Sequence, residues 1–132
     1  MKKDKLNIAI IGLGNIGNYL YRFLQTNKSI LSKKNNCIPN VIFISAKNKN
    51  KKRNFKIDKK KWLDNYLDAT TSPSVDLIVE LIGGAEGPAK KLVFNALKNK
   101  KHVVTANKAL IAKYGDQLSK IAEKNKVNLE FE

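Results

Sequence analysis

The sequence predicts an α/β fold, a doubly wound parallel sheet in a single domain, on three observations. Short, continuous apolar runs alternate along the chain with stretches of helical periodicity, as in successive βαβ units. The first run, Leu6 to Ile11, leads straight into Gly12-Leu13-Gly14-Asn15-Ile16-Gly17 and then into an amphipathic stretch. The run Val75 to Ile82 is also continuous rather than alternating and ends in Gly83-Gly84, as a strand buried on both faces does.

Leu6 to Ile11 is the first strand. Ile16, Leu20, Phe23 and Leu24 fall at i, i+4, i+7 and i+8, which makes them the expected buried face of a helix that stops near Thr26-Asn27. Residues 27–39 read as a polar loop, with Pro39 before a second strand, Val41-Ile42-Phe43-Ile44. Ser45 to Arg53 is basic and reads as flexible. Phe55, Ile57, Trp62, Leu63, Tyr66 and Leu67 suggest a small strand or turn and a short helix, and Thr71-Ser72-Pro73-Ser74 a turn. Val75 to Ile82 is the third strand. Pro88 suits the first turn of the next helix, whose buried stripe is Ala89, Leu92, Val93, Ala96 and Leu97. Lys101 to Thr105 is the fourth strand, leading to Ala106-Asn107-Lys108. Tyr114, Leu118, Ile121 and Ala122 mark a last helix, and Val127 to Phe131 a last strand. Ligands of such sheets bind beyond the carboxyl ends of the strands, where strand order reverses. Three loops collect there: Gly12–Gly17, Ile82–Gly84 and Ala106–Lys108.

Composition narrows the function. The chain of 132 residues is long enough for one domain with a core. No apolar run approaches the roughly 18 residues of a transmembrane helix. Met1-Lys2-Lys3-Asp4-Lys5 precedes an apolar run that is too short, lacks a cleavage site and is the first strand, so no signal peptide is expected. The single cysteine, Cys37, forms no intrachain disulfide, and a reducing cytoplasm is the expected location. Cys37 sits in a polar stretch without a nearby histidine and is not expected to be a nucleophile. No metal site is expected. The net charge of +15 raises a nucleic-acid reading. However, the excess is almost all lysine, Arg22 and Arg53 being the arginines, and the aromatics are not interleaved with the basic run as a stacking platform requires. Neither a nucleic-acid nor a membrane partner is expected.

The glycine loop carries the chemistry. Gly12 permits a tight turn out of the strand, Gly14 lets the backbone approach a pyrophosphate, and Gly17 lets the helix pack closely on the strand. The helix N-terminus adds free N–H groups and the positive end of its dipole. A Rossmann-like dinucleotide site is therefore expected at Gly12 to Gly17. An acid at the end of the second strand ordinarily hydrogen-bonds the ribose 2′-hydroxyl of NAD. Here stand Ser45, Ala46 and Lys47, with no acid until Asp58. Lys47 and one of Lys51, Lys52 or Arg53 can neutralise a 2′-phosphate, so NADP(H) is preferred and NAD(H) stays open; a merely solvated loop is the alternative. Gly83 and Gly84 admit close approach of a ribose or nicotinamide, or serve a loop that needs positive φ, and both readings stand. Lys108, at the nicotinamide edge, can hold a substrate oxygen and stabilise oxyanion charge. His102, at the opposite end of its strand, is not expected to be catalytic. Glu80 lies within a buried strand, where an unpaired carboxylate is costly, so it has a partner or faces the cleft.

Taken together, Gly12-Leu13-Gly14-Asn15-Ile16-Gly17, Val79-Glu80-Leu81-Ile82-Gly83-Gly84 and Lys101-His102-Val103-Val104-Thr105-Ala106-Asn107-Lys108-Ala109-Leu110 resemble homoserine dehydrogenase. The resemblance covers essentially the whole chain, residues 1–132, but only the nucleotide-binding part of the family. It implies NAD(P)-dependent hydride transfer between L-homoserine and L-aspartate 4-semialdehyde, in threonine and methionine biosynthesis. It implies that Gly12, Leu13, Gly14, Asn15, Ile16 and Gly17 bind the pyrophosphate, and that Ser45, Ala46 and Lys47 lie by the adenosine ribose. Ile82, Gly83, Gly84, Thr105, Asn107 and Lys108 would serve the nicotinamide side. Lys108 resembles a family lysine that contacts cofactor and substrate, and is the one catalytic candidate. Lys47 stands where many relatives carry arginine, keeping the charge without the bidentate fork. Family members continue into a substrate and dimerisation domain, absent here, and Asn128 to Glu132 resembles the segment before it. A second family lysine and the acids that bind the substrate amine come from that domain. This chain is thus expected to bind nucleotide without turnover, and homo-oligomers are expected only of a full-length protein. A non-enzymatic NAD(H)-sensing module shares the fold and glycine loop but needs no lysine at the nicotinamide edge. The stretch Thr105 to Leu110 favours the dehydrogenase.

Overall fold

The structure, a computed structural model, describes residues 4–53 and 55–131. Met1, Lys2, Lys3, Asn54 and Glu132 lie outside the described residues, and with them the start of the leader reading and the end of the terminal segment. In order come β1 (Asp4–Ile11), α1 (Asn15–Thr26), α2 (Lys28–Asn35), β2 (Cys37–Ser45), α3 (Asp68–Thr71), β3 (Leu77–Glu80), α4 (Pro88–Lys98), β4 (His102–Thr105), α5 (Lys108–Lys124) and β5 (Leu129–Phe131). The strands form one parallel sheet in the order β2-β1-β3-β4-β5. From β1 the chain runs out to β2 at the edge, then returns to lay β3 on the other side of β1. The reversal of strand order therefore falls between β1 and β3.

The continuous apolar run of β1 is explained by helices on both faces. Ala9 and Ile11, with Ile78 and Val103, pack under α4 and α5 through Leu92, Val93, Ala96, Leu97, Leu110 and Leu118. Ile8 and Ile10, with Val79, Val41 and Ile44, pack on the other face with Leu13 and Tyr21. The stripe expected on α4 is buried throughout, and Pro88 is its first residue.

Three local expectations are corrected. The buried face of α1 is Gly17 and Tyr21, with Leu20 and Leu24 partly buried; Ile16 and Phe23 are exposed, Ile16 at 64%. Glycine is invisible to a count of apolar residues, yet it faces the sheet because the helix lies so close to it. Residues 27–39 are not a loop: they contain α2 and the first three residues of β2. α2 ends at Asn36 in the left-handed region (φ 51°), a position asparagine tolerates. Pro39 lies inside β2, opposite Leu6, where an edge strand can accommodate it. Cys37 is accordingly the first residue of that strand and is half-buried. The segment after β2 returns as a single parallel bridge between Ile44 and Trp62, with Ile44 donating to the Lys61 carbonyl and Leu63 to the Ile44 carbonyl. It covers the upper half of that edge.

Candidate functional site

The crevice at the carboxyl ends of β1 and β3 is shaped by glycine. Gly12 has φ +106°, and a Cβ there would sit 2.6 Å from the Leu81 backbone. A Cβ on Gly17 would lie 2.0 Å from the Gly12 carbonyl oxygen. These two positions are closed by the fold itself. Gly14 is different: nothing lies within 4 Å of where its Cβ would be. It is the N-cap of α1, without a side-chain cap and with no acid in the first turn of the helix. The uncapped, positive end of α1 therefore borders open space at Gly14, an arrangement suited to a diphosphate. Leu13 turns its side chain into the core at 4% exposure, so it offers the crevice only backbone.

Beyond β2, Gly12 N–H donates to the Ser45 carbonyl at 2.8 Å, fixing the two strand ends together. The Ser45 hydroxyl donates inward to the Leu63 carbonyl at 2.7 Å, and the residue is buried. Ala46, half-buried, and Lys47, exposed, are the first residues on the outside. Arg53 folds back on its own loop, its guanidinium donating to the carbonyls of Asn48, Lys49 and Lys51. Of the basic residues expected to face a 2′-phosphate, Arg53 is thus engaged in shaping the loop, while Lys47, Lys51 and Lys52 remain exposed.

Across the reversal point, Gly83 and Gly84 have φ +90° and +86°, so the conformational reason for both glycines holds. A Cβ on Gly83 would also meet open space. Glu80 is fully buried and has its partners: Oε2 accepts from the N–H of Ile82 at 2.7 Å and Gly83 at 3.0 Å, and Oε1 from the Thr105 hydroxyl at 2.5 Å. Thr105 and Asn107 are buried at 2% and 6% exposure. Their side chains tie loops together rather than lining the crevice. Lys108 is the first residue of α5 and is exposed. A cation in the first turn opposes the helix dipole, and no acid occupies that turn. This local cost leaves a positive ammonium beside a positive helix end at the mouth of the crevice.

Sequence reasoning did not single out Glu86, and it read Tyr114 only as part of the α5 stripe. Glu86 follows the glycine loop and accepts from Lys113 at 2.6 Å, from Lys90 at 3.3 Å and from the Tyr114 hydroxyl. Lys113 first, and Tyr114 next, hold its carboxyl down at about 2. This exposed cluster joins the start of α4 to α5. Surface grooves of about 380 Å³ along α1 and 530 Å³ between α4 and α5 are not lined by Gly12, Gly14, Gly83, Gly84 or Lys108, and of the glycine loop only Asn15 reaches the end of the first. Enclosed volume does not mark the crevice; open backbone and uncompensated positive charge do.

A family model described as "Homoserine dehydrogenase, NAD binding domain" matches residues 12–132. Homoserine dehydrogenase of Bacillus subtilis is 33% identical over 127 residues, covering 96% of this chain and 29% of its own length. That of Neisseria gonorrhoeae is 35% identical over 130 residues, with the same two shares. The crystal structure of Staphylococcus aureus homoserine dehydrogenase at pH 8.5 superposes with a TM-score of 0.90 at 36% identity, covering 99% of this chain and 33% of that one. A hyperthermophilic archaeal homoserine dehydrogenase, solved in complex with NADPH, shares the fold at a TM-score of 0.72 and 21% identity. This chain therefore spans about a third of the length of the relatives it matches, and it belongs to the homoserine dehydrogenase family as that family's NAD-binding domain.

Proposed function

We propose that this chain holds NADP(H) in preference to NAD(H) across the β1–β3 reversal. Joined to the rest of a homoserine dehydrogenase, it would serve interconversion of L-homoserine and L-aspartate 4-semialdehyde in the cytoplasm. The observation that carries the reading is the free Cβ space at Gly14 beside the uncapped start of α1. The Gly12–Gly17 loop receives the pyrophosphate, with backbone contributions from Leu13, Asn15 and Ile16. Ala46 and Lys47 flank the adenosine ribose, and Lys47 supplies the cation for a 2′-phosphate. Ile82, Gly83 and Gly84 face the nicotinamide half, where the bound nicotinamide gives or accepts a hydride. Lys108 holds the substrate oxygen, whose negative charge grows as the aldehyde is reduced. The groups that bind the substrate amine belong to the part of the family's length this chain does not span, as does the surface of a homo-oligomer. This chain alone then binds nucleotide without turnover.

Titration of the chain with NADPH and NADH, read by melting temperature, tests this. A ligand at a hundredfold excess over Kd stabilises by about 2.7 kcal/mol, which for a domain of this size is roughly 5–10 °C. Lys47→Glu is expected to weaken NADPH and to spare or improve NADH, since it exchanges a 2′-phosphate partner for a 2′-hydroxyl acceptor. Unchanged NADPH affinity in that variant removes Lys47 from the site. A flat melting temperature with both nucleotides removes the dinucleotide reading.

A further inference from the structure

We infer that Glu80 and Asn107 are positioning residues for the nicotinamide half of the crevice, locking the loop after β3 to the start of α5 and so setting where Lys108 stands. The inference rests on the dinucleotide reading above.

The Gly83–Gly84 loop has no side chains of its own to hold it, and both residues occupy positive φ. Its shape is imposed from beneath and from the side. From beneath, the buried Glu80 carboxylate gathers the N–H groups of Ile82 and Gly83 on one oxygen and the Thr105 hydroxyl on the other. The Thr105 oxygen accepts in turn from the Asn107 N–H at 3.0 Å. From the side, the Asn107 amide nitrogen donates to the Gly84 carbonyl at 2.7 Å. Its amide oxygen accepts from Leu110 N–H at 3.0 Å and caps α5. One unbroken line of hydrogen bonds thus runs from the glycine loop across the ends of β3 and β4 into the first turn of α5. Lys108 is the residue next to that cap, and its backbone is oriented by it. A buried carboxylate needs charge-assisted donors to be tolerated; here two of its donors belong to the loop after β3, and the third, Thr105, ends β4 immediately before the loop that leads to Lys108.

Substitution can separate the tie from the cap. Asn107→Ser keeps a good N-cap, but serine is too short to reach the Gly84 carbonyl. Glu80→Gln keeps the shape but turns one acceptor into a donor. The chain and both variants are titrated with NADP+ and with its adenosine half, 2′,5′-ADP; if NAD+ proves the tighter ligand, NAD+ and ADP replace them. Asn107→Ser is expected to weaken the dinucleotide about tenfold, with the half-ligand within about twofold and the melting temperature lowered by no more than a few degrees, the scale of one lost hydrogen bond. Glu80→Gln shifts the dinucleotide in the same direction; should it fail to fold, Asn107→Ser decides alone. Unchanged dinucleotide affinity, an equal loss for both ligands, or an unfolded Asn107→Ser overturns the inference. If the unaltered chain binds neither dinucleotide, the underlying reading fails and this inference falls with it.

Discussion

Lys108→Ala, made in a chain that joins this domain to the rest of a homoserine dehydrogenase, is expected to lower turnover by on the order of 10²-fold or more, the loss typical of removing an oxyanion-stabilising donor. Dinucleotide affinity should change much less, because the pyrophosphate is held by the backbone of the Gly12–Gly17 loop and not by this side chain. The same substitution in the present chain should leave the melting temperature unchanged or slightly raised. Lys108 is exposed in the first turn of α5, where its charge opposes the helix dipole. Loss of turnover without loss of stability is the signature of a residue kept for chemistry. Turnover like that of the unaltered enzyme removes Lys108 from the reaction, and a large fall in stability assigns it to the fold instead.

Gly17→Ala should destabilise the chain by about 3 kcal/mol or more, the upper range of overpacking, or roughly 10 °C in melting temperature for a domain of this size. On an exposed helix the same change would be favourable by about 1 kcal/mol. The sign reverses because the added carbon would lie 2.0 Å from the Gly12 carbonyl oxygen, which is backbone and cannot swing away. Gly14→Ala is the matched control. Its Cβ enters open space, so the fold should survive while the space for the pyrophosphate is taken. Thermal unfolding with and without NADPH separates the two. A Gly17→Ala chain that melts like the original contradicts the close packing of α1 on β1. A Gly14→Ala chain that binds NADPH undiminished contradicts the phosphate role of that loop.

Much of this arrangement was legible in the residues, for physical reasons that differ by element. The stripe on α4 shows because five apolar residues share one face and nothing polar interrupts them. The Gly12–Gly17 loop shows because each glycine answers a separate steric demand. α2 does not show: Lys28 to Asn35 contains only Ile30 and Leu31 as apolar residues, and Ile30 is 66% exposed, so no periodic signal exists. β2 begins earlier than expected because Pro39, read as a breaker, is tolerated at an edge. The buried face of α1 was misplaced because the residue nearest the sheet is a glycine. In the crevice, the sequence marks Glu80 as an acid needing a partner but not which partner, since Thr105 meets it only through the pairing of β3 with β4. The Glu86–Tyr114 contact joins residues 28 positions apart and depends on how α4 and α5 pack.

The measurement that bears most directly on the dinucleotide crevice is an amide chemical-shift titration of the isotope-labelled chain, 14.8 kDa in mass, with NADPH and with NADH. Saturable shifts are expected at Gly12, Gly14, Asn15, Ile16 and Gly17, at Ala46 and Lys47, at Gly83 and Gly84, and at Asn107 and Lys108, with α2 and β5 undisturbed. Absence of saturable shifts with either nucleotide, or shifts centred on the groove between α4 and α5, would contradict it.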